Sequence, residues 1–490
     1  MKVKKIHEVD HFSRYVEKLT ADIAGSHKRP ITHLVDLGSG QGYLPRCLAS
    51  PPYNRHLVAI ESKQHNIEGA KNWDIMAKLA PKTKTIVDKK AWRAERNSAK
   101  ANGTLEPKDL TGKTYLKGER RGLFVHPGKP EDELASSFGT VQISSTGAGS
   151  IQYVEHWIHD GELSRVIDQI VDPEVARETL ENEPGNVTED TKDSFVPESL
   201  PLQNHTKAQN PSLMVISLHS CGNLVHHGIR SLLLNPAVSA VALVGCCYNL
   251  VTERLGPPTY KLPSLRLANA RLTETSNSHD PHGFPMSNRL CNYPTTVGKG
   301  LRLNITARMM AVQAPQNWGE KDSEAFFTRH FYRALLQRIF LDLGIVPPPS
   351  KEDDENVGQS SPLGWSGNTQ PIIIGSLKKA CYADFVSYVR GAAAKLVQEP
   401  ERGGMFEEKF SRLSDEDIRG YEERYAERKK ELSVVWSLMA FSAGVIEAVV
   451  VVDRWLFLRE QTEVVERAWV ETVFEYGQSP RNLVVVGIKK

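Results

Sequence analysis

The sequence of 490 residues predicts an α/β fold, an open and mostly parallel sheet with helices on both faces. Three observations lead there. Continuous apolar runs at Leu57–Ile60, Leu213–Leu218 and Val238–Val244 read as strands buried on both sides. Near the start, His33-Leu34-Val35-Asp36-Leu37 runs into Gly38-Ser39-Gly40-Gln41-Gly42 and then an apolar segment from Tyr43, which reads as strand, tight loop and helix. At the other end, Trp469–Phe474 and Leu483–Ile488 flank Tyr476-Gly477-Gln478-Ser479-Pro480 and read as a β-hairpin. Length alone would allow two or three domains.

The glycine loop distinguishes two cofactor classes. A pyrophosphate binder needs G-x-G-x-x-G, its third glycine for close helix packing. Here Gly38 and Gly40 fit the first two places, Tyr43 stands in the third, and Gly42 arrives one residue early. Asp36, where the strand runs into the loop, would repel a pyrophosphate and attract a cation. S-adenosylmethionine carries an ammonium and a sulfonium, so it is the expected cofactor. Gly38, Ser39, Gly40, Gln41 and Gly42 would admit its methionyl part to backbone amides, and the helix start after Gly42 would take its carboxylate. Glu61 ends the second strand, placed to accept both ribose hydroxyls.

Composition sets bounds. Hydrophobic residues make up 40% and charged residues 24%, enough for a large core. A net charge of +2 is too balanced to argue for nucleic acid or a membrane surface from bulk electrostatics. Six cysteines lack paired metal-ligand spacing, so no dedicated metal site is expected and the simpler compartment is reduced and intracellular, cytoplasmic or nuclear. The N-terminus is Lys-rich and then polar, without an apolar signal region. Val434–Val452 is long and apolar but contains Glu447 and is followed by Asp453. A spanning helix needs about 20 residues with few charges, so a buried helix against the sheet is expected, not a membrane segment.

Taken in order, residues 5–25 predict an amphipathic helix through Ile6, Val9, Phe12, Val16, Leu19 and Ile23. Residues 64–80 read as helix. Residues 82–150 turn basic and polar around Trp92 and read as an insertion; such a run suits a nucleic-acid backbone but is more often a solvated face. Ile151–Ile158 alternates and predicts a third strand, followed by His159-Asp160-Gly161. Residues 172–211, rich in Pro, Asn and acids, read as a second insertion. The run Leu213–Leu218 ends in His219-Ser220-Cys221-Gly222-Asn223-Leu224, at a strand's carboxyl end, where ligands bind in open α/β sheets. Asn223 is expected to cap the next helix. Val238–Val244 ends in Gly245-Cys246-Cys247-Tyr248. The cysteines allow three readings: packing, lining of a substrate pocket, or a covalent or metal role with His219 and Cys221. Tyr248 offers a ring to stack on a planar substrate and a hydroxyl to orient it. Helices are expected at 301–312, 323–343, 379–397 and 414–432, with a linker at 346–370, then a long helix from 432 to about 460.

Several stretches resemble one family. Asp36–Gly42 looks like motif I of class I methyltransferases, which alone gives only the superfamily. Lys4–Val9, Leu218–Leu224, Val244–Tyr248, Gly283–Ser287, Asp453–Glu460 and Ser479–Leu483 resemble the family of methyltransferase-like protein 25 and the ribosomal RNA adenine dimethylase domain-containing protein. Residues 95–150 and 172–211 show no such similarity. The resemblance implies a seven-stranded class I methyltransferase sheet with its C-terminal hairpin, so that the sheet would begin near residue 33, close at the last residues and form one Rossmann-like domain carrying insertions. The chain would divide into an N-terminal helical cover (1–30), a core (31–300), a helical insertion (301–430) and a final helix with hairpin (431–490). It implies that His7 or Glu8 reaches the site, that Asp160 faces the adenine amine, and that Gly283–Ser287 lies near the pocket mouth. Arg481 is either structural or meets a substrate phosphate. His219, as base, with Cys246, Cys247 and Tyr248 would line the acceptor side. Family naming favours RNA as acceptor. The absence of an Asn-Pro-Pro-like motif after the fourth strand keeps a protein or small-molecule acceptor open, and a cofactor-binding scaffold remains the alternative of another class.

Overall fold

The structure is a computed structural model. It describes residues 2–26, 28–80, 140–143, 149–172, 210–255, 280–296, 298–303, 305–346, 374–400 and 402–490, with Ala208 and Ile372 besides. The basic stretch around Trp92, nearly all of the 172–211 insertion and most of the 346–370 linker lie outside the described residues.

The predicted sheet is present. Its strands are β1 (His33–Leu37), β2 (His56–Glu61), β3 (Thr140–Ile143), β4 (Ser150–Glu155), β5 (Leu213–Cys221), β6 (Val238–Cys247), β9 (Val465–Thr472) and β10 (Leu483–Lys489), in the order β3-β4-β2-β1-β5-β6-β10-β9. Two short strands, β7 (Pro294–Thr295) and β8 (Gly298–Lys299), form a separate ribbon. From β4 to β6 the neighbours are parallel, and β10 runs antiparallel to β6 and to β9. These are the seven expected strands. The eighth, β3, adds an antiparallel edge beside β4, inside a stretch that reads as insertion. The third strand stops at Glu155, three residues short of its predicted end.

Both faces of the sheet are buried, which explains the continuous apolar runs. Val35, Val215, Val241, Leu243 and Val485 face one cluster, while Leu34, Met214, Ile216, Ala242 and Val486 face the other. The second face is covered by α1 (Val3–Gly25), α2 (Tyr43–Ala49) and α3 (Gln64–Met76), with Phe12, Val16, Leu19 and Ile23 of α1 in its core. The first face takes α4 (Ser164–Ile167), α5 (Leu224–Leu234) and the C-terminal helix. Between α5 and that helix come α6 (Asn288–Cys291), α7 (Ile305–Met310), α8 (Glu320–Asp342), α9 (Phe385–Leu396), α10 (Gly403–Ser411) and α11 (Asp415–Arg424). Leu336, Phe340, Phe385, Val389, Phe406 and Ile418, from α8 to α11, pack into an apolar cluster of their own.

The long helix departs in part from its reading as a helix buried against the sheet. It runs Arg428–Glu460 as α12 (Arg428–Phe441) and α13 (Ala443–Glu460), meeting at Ser442. Val450, Val451 and Leu458 of α13 pack on the sheet. Leu438 and Phe441 are 67% and 74% exposed, and Val434, Val435 and Val445 are also exposed. Among the described residues this is the one helical run long and apolar enough to cross a membrane by length and composition.

Candidate functional site

The glycine loop leaves β1 at the carboxyl ends of the parallel strands, between β2 and β5. Strand order reverses there, which in open α/β sheets is where the ligand crevice lies. Gly38 and Ser39 donate their amides to Ile60 O at 2.9 and 3.0 Å, which ties the loop to β2. Gly42 cannot be replaced freely. Its φ is +66°, and a Cβ there would lie 2.9 Å from Tyr153 Oη. That hydroxyl donates to Asp74 at 2.6 Å. Arg46 also binds Asp74 at 2.7 Å and donates to Gln41 O and Ala70 O, so the loop is clamped between α2 and α3. Among the described residues, a Cβ at Gly40 would meet nothing within 4 Å, and Ser39 Oγ is buried without a hydrogen-bond partner. The cradle therefore has an open side and a polar atom still to be satisfied.

Asp36 and Glu61 stand at the ends of β1 and β2, as their positions predict. Glu61 accepts from Gly40 N at 3.0 Å and Lys63 N at 3.1 Å. Asp36 is 2% exposed. Burial first, and then the charge of Glu61, push its carboxyl up to about 7, with Lys5 opposing. A carboxyl whose ionisation is opposed first by burial and then by a neighbouring carboxylate is one that a bound cation would stabilise.

Past β4, the register sets Glu155 beside Glu61, and His156 N donates to Glu61 O at 3.1 Å. Asp160 lies further on. Its Oδ1 accepts from Glu162 N at 2.9 Å, and its carbonyl accepts from Arg230 of α5. The carboxylate thus serves a turn. The residues that leave the strand beside Glu61 are His156 and the exposed Trp157, which the sequence reading passed over by extending the strand to Ile158.

On the other side of the crevice β5 bulges. Leu218 pairs with Val244 and Ser220 with Gly245, so His219 is the extra residue, with φ +73°. A non-glycine residue in this region is strained, and a bulge re-aims its side chain. His219 Nε2 meets Glu8 Oε2 at 2.8 Å. Glu8 comes from α1, is 1% exposed, and also accepts from Ser479 Oγ of the C-terminal hairpin at 2.8 Å. Burial would raise the Glu8 carboxyl. The bond and charge of His219, then Ser479 and Lys5, outweigh it and bring it down to about 2. The structure thus joins His219 to Glu8 across 211 positions, and Glu8 rather than His7 is the residue that arrives.

Cys221, Cys246 and Cys247 meet at the ends of β5 and β6, with Sγ separations of 3.2 to 3.5 Å. The bonds to Cys221 and Cys247, and burial after them, push the Cys246 thiol far up. That disfavours a metal-free thiolate nucleophile.

Other expected site residues turn out to be braces. Tyr248 is 2% exposed, with the guanidinium groups of Arg454 and Arg481 5.4 and 5.8 Å from its ring centre, and its hydroxyl donates to Glu447 at 2.9 Å. It offers no open face for stacking. Arg481 pairs with Glu447 at 2.8 Å and donates to Ala311 O and Gln313 O, which makes it structural. Asn223 stands at the start of α5 without a capping bond. Its amide instead reaches Thr252 and Asp280. Phe284, Met286 and Ser287 are buried, and the Met286 and Ser287 amides bind Asp453. This stretch anchors α13 rather than rimming a pocket.

The sheet order, the glycine loop and the paired acids at the ends of β1 and β2 define a Rossmann-like protein of methyltransferase type. The chain belongs to a methyltransferase domain family, whose model matches residues 4–254. Over its whole length it is 26% identical to the mouse (Mus musculus) protein named probable methyltransferase-like protein 25 and 25% identical to the human (Homo sapiens) protein of that name, covering 75% of each. No solved structure matches.

Proposed function

We propose that the chain is an S-adenosylmethionine-dependent methyltransferase whose acceptor is RNA. The observation that carries the cofactor reading is the buried Asp36 carboxyl beside Glu61 under an open glycine cradle. The cradle fits the cofactor: among the described residues Ser39 Oγ lacks a partner, and Gly40 leaves room for a ligand against the backbone. When bound, S-adenosylmethionine supplies an electrophilic methyl group on a sulfonium. Asp36 would balance the cation, Glu61 would accept from the ribose hydroxyls, and His156 and Trp157 would flank the base.

Methyl transfer is an in-line displacement, so alignment of the acceptor and removal of its proton are what the chain must provide. His219 is placed for the second task. An Nε2–H donated to Glu8 leaves the lone pair on Nδ1, which is then the proton-accepting atom. Glu8, ionised down to about 2, holds that tautomer and stabilises the imidazolium that forms.

RNA as acceptor rests on the family resemblance, with the basic stretch around Trp92 as a candidate guide. The test is transfer of labelled methyl to RNA, protein and small-molecule fractions by the purified chain, with His219→Ala beside it. Label in RNA, removed by ribonuclease and lost in the variant, supports the reading. Label in protein or a small molecule overturns the acceptor. Cofactor binding without transfer to any fraction overturns catalysis in favour of a scaffold.

A further inference from the structure

The thiol triangle at the ends of β5 and β6 has no assigned task. Cys221 closes β5, Cys246 and Cys247 close β6, and the register sets Cys221 opposite Cys247. The Sγ atoms stand 3.2 Å apart for Cys221 and Cys247, 3.4 Å for Cys246 and Cys247, and 3.5 Å for Cys221 and Cys246. No disulfide joins them. Among the described residues no other three His, Cys, Asp or Glu ligand atoms converge this closely. Neutral thiols gain little from one another, because S–H is a weak donor and sulfur a weak acceptor. A soft cation would use all three. Zinc–thiolate bonds of about 2.3 Å put tetrahedral sulfurs about 3.8 Å apart. Each pair needs to open by only a few tenths of an ångström.

A second observation is electrostatic. Arg454 of α13 is 1% exposed, and its guanidinium lies against the end of β6: a Cβ on Gly245 would be 2.6 Å from Nη1. Among the described residues its Nε is buried without a hydrogen-bond partner. The adjacent carboxylate, Asp453, turns to Met286 and Ser287, and Glu447 pairs with Arg481. The ring of Tyr248 gives Arg454 one face. A buried guanidinium stays charged and gains from each added negative charge; Asp453 and Glu447 act on Arg454 by charge, and Glu447 is shared with Arg481. Three thiols supply no negative charge. Three thiolates around one divalent cation carry a net charge of −1, beside the one positive charge of Arg454.

We propose that Cys221, Cys246 and Cys247 form a zinc site of three thiolates, balanced by Arg454. The fourth position is left to water or to the methyl acceptor. Three protein ligands with one open place is the pattern of a catalytic site, not of a closed structural one. Loading converts three S–H groups to three Zn–S bonds and releases three protons, so affinity rises with pH. Metal binding stands apart from the methyltransferase reading; only the acceptor as fourth ligand rests on it.

The test uses the full chain, purified reduced and without chelator, with zinc by elemental analysis and cobalt(II) as spectroscopic probe. Roughly one zinc per chain and an intense thiolate-to-cobalt band are expected. Cys221→Ser, Cys246→Ser and Cys247→Ser should each weaken metal binding by at least about tenfold, while Cys47→Ser and Cys291→Ser retain it. Two results overturn the site: a folded chain that takes up neither metal under reducing conditions, or zinc undiminished in all three triangle variants. Calorimetric titration of the same samples with S-adenosylmethionine keeps the readings separate. Metal bound without cofactor binding would sink the methyltransferase reading and leave the zinc site standing.

Discussion

At the scale of single residues, the two acids near the crevice respond to pH in opposite ways. Asp36 has a folded value of about 7 against an ordinary 3.8. The folded chain keeps a proton there that the unfolded chain loses, so this group's contribution to stability falls as pH rises from about 4 to 7. Asp36→Asn should therefore stabilise the cofactor-free chain at pH 8 by about 2–4 kcal/mol in denaturant titrations, while abolishing cofactor binding. Wild-type affinity for S-adenosylmethionine should rise with pH up to about 7 and then level. Proton release below that point would be read as a buffer-dependent calorimetric enthalpy. Glu8 works the other way. Its value of about 2 against 4.5 gives stability above about 4.5 that is lost as pH falls towards 2. Glu8→Gln should cost on the order of 1–3 kcal/mol at pH 7, and a double-mutant cycle with His219→Gln should show coupling. Asp36 and Glu61 were legible in the sequence because each ends an apolar run. The partnership of His219 with Glu8 was not, since no local pattern links residues 211 positions apart.

At the scale of elements, α12 and α13 show how composition and burial separate. Their apolar residues surround the helix, so periodicity gives no face, and only packing assigns one. Phe441→Glu, at a site 74% exposed, should move stability by no more than about 0.5 kcal/mol. Val450→Asp should cost more than about 3 kcal/mol, because it buries a charge between α13 and the sheet. Thermal melts of the two variants decide it. The β5 bulge is a second case. The run Leu213–Leu218 predicts the strand, but a bulge at His219 depends on how β6 pairs with it. Tyr248 is a third: the sequence shows an aromatic at a strand end, and only Arg454, Arg481 and Glu447, from the far end of the chain, turn it into a brace.

For the whole molecule, the two ends of the chain close on each other. Tyr15 binds Glu471 at 2.5 Å, Lys28 binds Glu466 and Lys489 O, and Glu8 binds Ser479. Helix α1 thus lies on the hairpin that completes the sheet, and it also brings Glu8 to His219. Deleting residues 2–26 would expose the apolar face around Leu34, Leu48 and Leu57. If the deleted chain stays soluble, hydrogen exchange in β9 and β10 should speed up more than in β1 and β2. Equal protection in both pairs would show that α1 does not support the hairpin.

By itself the sequence determined the strand–loop–helix at Asp36, both acids, the central strands, the closing hairpin and the family. Each of these is a local pattern, because burial on both faces and a φ above zero restrict residue type wherever they fall. Only the tertiary structure decided the rest. It made Tyr248 and Arg481 braces, left Asp160 to a turn, gave β3 its place at the edge, and set three thiols against Arg454. Those outcomes depend on contacts between distant segments, and the free energy of such a contact is set by the partner as much as by the residue.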